Sequence, residues 1–98
     1  MIVRLTLEAE RDLEAIGDRI AEGGPARAIS FVAELREACL GLSSFPAAWP
    51  LVPRHEAQGV RRRVHGAYLI FYRIDRDAIV VIHVLHGAMD YEPILFPA

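Results

Sequence analysis

Residues 68–74, "YLIFYRI", and 79–86, "IVVIHVLH", are apolar at nearly every position, and the polar Asp75-Arg76-Asp77 divides them. A strand with one face in water alternates apolar and polar side chains. These runs do not, so the pattern predicts strands over 67–74 and 79–86 that want cover on both faces. A third strand over 60–65 precedes them. Gly66 permits a tight turn at the first break, and Asp75 to Ala78 make the second.

The first half of the chain has a different period. Ile2-Val3-Arg4-Leu5 reads as a short strand, and Thr6 then stands as an N-cap with Glu8 and Glu10 in the first turn, where carboxylates suit the helix dipole. Ala9, Leu13, Ile16 and Ile20 recur at steps of four, three and four, one apolar stripe on a charged helix. Gly23-Gly24 stops it. Pro25 suits the first turn of a second helix, striped by Ala28, Val32, Leu35, Cys39 and Leu42 and widened by Ile29 and Phe31. So short a break predicts an antiparallel helical hairpin. Residues 43–59 form a long connection carrying Pro46, Pro50 and Pro53, with Phe45 and Trp49 expected to pin it to the body. The order is β-α-α-β-β-β, an α+β single domain.

With Arg76-Asp77 as a two-residue turn, Ile74 faces Ile79, Tyr72 faces Val81, Ile70 faces His83 and Tyr68 faces Leu85. The helices are expected to cover Tyr68, Ile70, Tyr72, Val81 and Leu85. The other surface gathers Leu69, Phe71, Arg73, Val80, Ile82, Val84 and His86. Two consecutive helices cannot straddle the sheet, and the tail from Met89 to Ala98 looks too short to blanket the second face. That face is therefore expected to await a partner, either a different protein or a second copy. Arg73 is placed outward, because a guanidinium under aliphatic stripes is costly to desolvate.

Charge sharpens this picture. The net charge of −2 hides a basic middle: residues 54–76 hold six Arg against two acidic residues, and there is no Lys anywhere. The cluster of Arg61, Arg62 and Arg63 reads either as a surface for an acidic partner or as a solvated edge that guards the sheet against aggregation. These arginines spread over both surfaces of a strand with few aromatics beside them, which argues against direct nucleic-acid binding by the chain alone. The 53% hydrophobic content excludes a disordered chain. No apolar run is long enough for a membrane span, and charges throughout residues 1–20 argue against a signal peptide. A single cysteine excludes an intrachain disulfide framework and suits the cytoplasm. Cys39 falls in the helical stripe and reads as a core residue.

Candidate chemistry is sparse. Cleaving RNA requires an acid, a base and cations around one phosphate, and Arg62, Arg73, His86 and Tyr91 are the available set. Of these, Arg73 and His86 share a face in the register above. His83 reads as a core histidine opposite Ile70, and His55 lies in a loop with no ligand in sight. No metal site and no cofactor motif is expected.

The order of elements, together with "AERDLEAIGDRIAE", "PARAISFVAELREACLGLSSFP", "GVRRRVHGAYLIFYRID" and "VVIHVLHGAMDYEPILF", resembles the RelE/ParE superfamily of type II toxins, on the ParE side. The resemblance covers essentially the whole chain. It implies a cytoplasmic toxin neutralised by a cognate antitoxin whose segment wraps the helices and sheet, with DNA gyrase as the expected target. The alternatives are a RelE-like ribosome-dependent mRNA endoribonuclease and a non-toxic remnant that only binds antitoxin. RelE-like nucleases place an Arg near the position of Leu69, another basic residue near Met89, and lysines in the long connection. This chain has none of these. On this reading Leu69, Phe71, Arg73, Val80, Ile82, Val84 and Arg61 to Arg63 are the expected antitoxin- or target-binding residues. The apolar Ile94, Leu95 and Phe96 leave two readings open: contact with a target, or docking back on the domain.

Overall fold

The computed structural model describes residues Met1–Ala98. Strand β1 (Ile2–Leu5) leads into helix α1 (Leu7–Ala21), and helix α2 (Pro25–Leu40) folds back on it. Strands β2 (Arg61–His65), β3 (Tyr68–Asp75) and β4 (Ala78–His86) follow, and a single turn of helix, α3 (Glu92–Leu95), closes the chain. The Thr6 hydroxyl accepts the Ala9 N–H at 3.1 Å, so the predicted N-cap is made. Pro25 occupies the first turn of α2, and Gly66 adopts the left-handed backbone that its turn needs (φ 59°). No helix is long and apolar enough to cross a membrane.

The sheet runs β1-β4-β3-β2, with β1 parallel to β4 and the other two pairings antiparallel. Leu13, Ile16, Leu35, Ala38 and Cys39 of the hairpin meet Tyr68, Ile70, Tyr72, Ile79, Val81 and Val84 in the larger core. Each such Leu or Ile, fully buried, contributes about 1.5–3 kcal/mol. Gly17 lets the helices close on each other, since a Cβ there would stand 3.2 Å from Val32 Cγ2. The Cys39 thiol is buried in this core, which pushes its pKa up to about 11.

Two expectations are corrected here. The β3–β4 register holds from Asp75↔Ala78 to Tyr72↔Val81 and then slips, so that Phe71 pairs with His83 and Ile82 has no partner. This bulge exchanges the faces of everything beyond it. Val84, opposite Ile70, joins the helix-side core, while Leu85, opposite Leu69, moves to the other side. His83 consequently does not face Ile70. The Asp12 carboxylate, on α1, binds both its Nδ1–H at 2.7 Å and the Val84 N–H at 2.9 Å. With the Thr6 hydroxyl donating to the Ile82 carbonyl at 3.0 Å, α1 staples the bulge where β1 no longer covers the strand edge.

The second correction concerns cover. Leu69, Phe71 and Leu85 are buried in the single chain, under Val52 of the long connection, Val60 just before β2, and the half-buried Tyr91, Leu95 and Phe96 of the tail. Phe71 is 0% exposed. The tail is long enough after all, because one helical turn sets three apolar side chains on one patch. Trp49 packs as expected, but Phe45 is 74% exposed and pins nothing. Besides Trp49 and Val52, polar contacts hold the connection, with Tyr72 Oη donating to the Pro46 carbonyl at 2.6 Å and Arg61 Nη1 to the Trp49 carbonyl at 2.7 Å.

Candidate functional site

The three consecutive arginines of β2 have three different roles. Arg61 and Arg63 lie opposite Tyr72 and Ile70, on the helix side. Arg61 ties down the long connection through the Ala47 and Trp49 carbonyls. Arg63 Nη1 donates to the Ala38 carbonyl at 2.8 Å, and its guanidinium lies 4.9 Å from the Trp49 ring centroid. It supplies the cation that the last turn of α2 lacks. Its Nε is buried without a partner. Both arginines are thus occupied in holding the fold.

Arg62, opposite Phe71, emerges on the side covered by the tail. Its Nη1 donates to the Tyr91 hydroxyl at 2.7 Å, while the Tyr91 ring lies 4.9 Å from that of Phe71. Arg73 projects into solvent next along β3 and makes no hydrogen bond or ion pair within the chain. Residues 91–96 form a strap over this face, and the strap side carries Arg62, Arg73 and Tyr91. His86 is elsewhere. It pairs with Tyr68, stacks edge-on against that ring at 5.3 Å, and its Nδ1 accepts the Ala88 N–H at 3.0 Å. The expectation that Arg73 and His86 share a face fails because the bulge lies between them. Of the expected binding residues, Leu69, Phe71, Val80 and Val84 are buried in the chain itself, and Ile82 is half-buried.

The tail is anchored by a cluster that sequence reading missed. Glu92 accepts from Arg54 Nη2 at 3.0 Å and from His55 Nε2 at 3.1 Å. The hydrogen bond from His55, helped by the charge of Arg54, holds this carboxyl below its ordinary range. His55 also stacks on Phe96, with centroids 4.0 Å apart and planes 12° from parallel. Arg54 itself takes up a left-handed backbone, φ 68°. A second feature also went unread. The outer side of the helical hairpin carries a groove of about 680 Å³, floored by Leu13, Gly17, Ala28 and Val32. Glu14 and Asp18 stand on one wall, and Ile29, 76% exposed, on the other. Ile29, expected to widen the buried stripe of α2, points outward instead and edges this groove. No group of three or more His, Cys, Asp or Glu side chains is placed to hold a metal.

The model of the "ParE toxin of type II toxin-antitoxin system, parDE" family matches residues 3–91. The chain belongs to the ParE toxin family. Two solved structures share this ParE-like fold. The chromosomal ParDE system from P. aeruginosa superposes with a TM-score of 0.76 at 22% identity, over 88% of this chain and 95% of that one. The RelBE2 toxin–antitoxin complex from Mycobacterium tuberculosis gives 0.65 at 29% identity, over 87% and 95%. No curated protein matches this ParE-family chain.

Proposed function

We propose that this ParE-family toxin is held inactive by a cognate antitoxin and, once free, acts by binding and inhibiting DNA gyrase. The observation that carries the binding mode is the division of the catalytic candidates between two faces. Phosphodiester cleavage needs acid, base and cation around one phosphate. Arg62, Arg73 and Tyr91 stand on the strap side, where His55 is tied to Glu92 and stacked on Phe96, and His86 stands on the helix side. The carboxylate next to Tyr91 is engaged by Arg54 and His55. A toxin that works by occupying its target requires no such convergence. Gyrase as the target rests on membership of the ParE family.

An antitoxin is supported by the two structural neighbours, both toxin–antitoxin systems. Its seat is best sought on the helical hairpin, since the sheet face once expected to receive it is closed by the chain's own tail. An amphipathic segment with apolar side chains over Ala28, Ile29 and Val32 and a basic residue toward Glu14 and Asp18 fits the outer groove. One observation favours a second reading: the 2.7 Å contact between Arg62 and Tyr91 puts a cation and a phenol together, as a ribosome-dependent mRNA endoribonuclease would.

The test is expression of the chain without its antitoxin, scored for growth and morphology, with a supercoiling assay on the purified protein. Filamentation and lost gyrase supercoiling are expected. Toxicity with intact supercoiling would remove gyrase, and ribosome-dependent mRNA cuts abolished by Tyr91→Phe would establish the second reading. Unaffected growth would reduce the chain to an antitoxin-binding remnant.

A further inference from the structure

One cleft takes no part in the strap, the hairpin groove or the arginine contacts. It lies between α1 and the ends of β3 and β4, beyond the bulge, and holds about 160 Å³. Ala15, Ile16, Val84 and Met89 give it apolar walls, and Asp12, Arg19, Tyr68 and His86 supply its polar groups. Tyr68 is only 8% exposed, with its ring packed near those of Phe31 and His86, at centroid distances of 5.5 and 5.3 Å. The Tyr72 and Tyr91 hydroxyls each have a hydrogen-bond partner in the chain, whereas that of Tyr68 has none. A polar group on so buried a side chain normally finds one. Arg63 Nε is the one fully buried side-chain polar atom without a partner, so the Tyr68 hydroxyl is open to the cleft that its residue lines. The other unpaired groups are donors as well. His86 Nδ1 accepts the Ala88 N–H at 3.0 Å, which puts the ring proton on Nε2. Arg19, in the last turn of α1, is exposed and has no ion pair.

We infer that this cleft binds one carboxylate group on a short aliphatic stem, carried either by a free small acid or by an acidic side chain of a protein partner. Free donors on Tyr68, His86 and Arg19 are complementary to an oxyanion. Asp12 is the one acidic group facing them, and its Oδ2 is already taken by His83 Nδ1 at 2.7 Å and the Val84 N–H at 2.9 Å. Its fixed negative charge penalises a second charge on the ligand, which disfavours a phosphate dianion and leaves a monoanion. Size points the same way, since the volume equals the share of about five waters and excludes a nucleotide. The apolar walls suit the methylene groups of the stem. Packing fixes Tyr68 and His86, and Arg19 folds over the bound group from the helix end. This inference rests on the cleft alone and holds whichever target the toxin has.

The experiment titrates the full-length chain with propionate and follows the amide chemical shifts of Tyr68, His86 and Ala88. The shifts should saturate with a dissociation constant on the order of millimolar, and propionamide, the neutral isostere, should bind at least about tenfold more weakly. Tyr68→Phe should weaken propionate by at least about tenfold while leaving the urea midpoint unchanged, because its hydroxyl has no partner in the chain to lose. Arg19→Gln, at an exposed position, is the second variant and should weaken binding without touching the fold. Shifts that do not saturate, equal binding of propionamide, or unaltered binding in both variants would overturn the inference. So would a fallen midpoint in Tyr68→Phe, which would show the hydroxyl already engaged. Inorganic phosphate binding more tightly than propionate would overturn the choice of a carboxylate. Glutamate capped at both ends separates the two sources: binding at least as tight as propionate assigns the cleft to an acidic side chain of a partner, and its exclusion assigns it to a free acid.

Discussion

Replacing Phe71 by Ala separates a face sealed by its own chain from one kept open for another molecule. Phe71 is 0% exposed, enclosed by Val52, Val60, Leu69, Leu85 and the strap, with the Tyr91 ring 4.9 Å away. Truncating a buried Phe costs about 3–5 kcal/mol, through lost transfer free energy and the cavity left behind. The lower end applies here, because the half-buried strap can settle into the void; we expect about 3 kcal/mol. Against a total of about 5–15 kcal/mol for a domain, that is a large fraction. With a urea slope of about 1–2 kcal/mol per molar, the midpoint should fall by roughly 1.5–3 M at unchanged slope. The assay is urea unfolding of the isolated chain, followed by Trp49 fluorescence and far-UV circular dichroism. Phe45→Ala is the control: this side chain is 74% exposed, so its loss should stay within about 0.5 kcal/mol. Should Phe71→Ala also cost under about 1 kcal/mol, the chain does not seal this face in solution and the packing argument fails.

Asp12→Ala removes the acceptor for His83 Nδ1 and the Val84 N–H and should cost about 2–4 kcal/mol, more than Asp12→Asn, with the Val84 amide exchanging faster; an unchanged midpoint would remove the staple. Arg76→Gly relieves a non-glycine residue held at φ 57° in the β3–β4 turn and should raise stability by about 0.5–1 kcal/mol in the same assay; a loss would show that the Arg76 side chain contributes more than the strain costs. Glu92 is held below the ordinary carboxylate value of 4.5 by its hydrogen bond to His55, so its contribution is present above that value and lost as pH falls through the lowered one. Strap amides should therefore lose protection in acid, and Glu92→Gln should flatten that dependence; an unaltered profile counts against it. Burial pushes the Cys39 thiol to about 11, so iodoacetamide should leave the native chain unlabelled at neutral pH and modify it only in denaturant, while rapid native labelling would contradict the packing.

The parts of the fold that depend on local chemistry were legible in the sequence. Thr6, Gly23-Gly24 and Pro25 delimit the helices through capping and backbone preference, and the four-three-four spacing of Ala9, Leu13, Ile16 and Ile20 selects the buried stripe. The bulge at Ile82 was not legible, because it depends on Asp12 and Thr6 about seventy residues away in sequence. That single unpaired residue exchanged the sides of Val84 and Leu85 and separated His86 from Arg73. The arginines misled for a related reason. In sequence Arg61, Arg62 and Arg63 are equivalent cations, and only the packed structure shows two of them bound to carbonyls that must be satisfied. The strap was half legible. Docking of Leu95 and Phe96 was one of two open readings, but the anchor joins His55 to Glu92 across 37 positions, and no local pattern announces such a contact.

The parallel pairing of β1 with β4 has a consequence for how the toxin comes into being. Ile2 has no ladder partner until Ala78 has been made. At a synthesis rate of about 5–20 residues per second, roughly 4–15 s separate the two. A nascent chain can form its helical hairpin early, but its sheet stays unfinished until the final strand leaves the ribosome. A transcript cut short within β4 would therefore yield no complete sheet, and the poison exists only as a finished product.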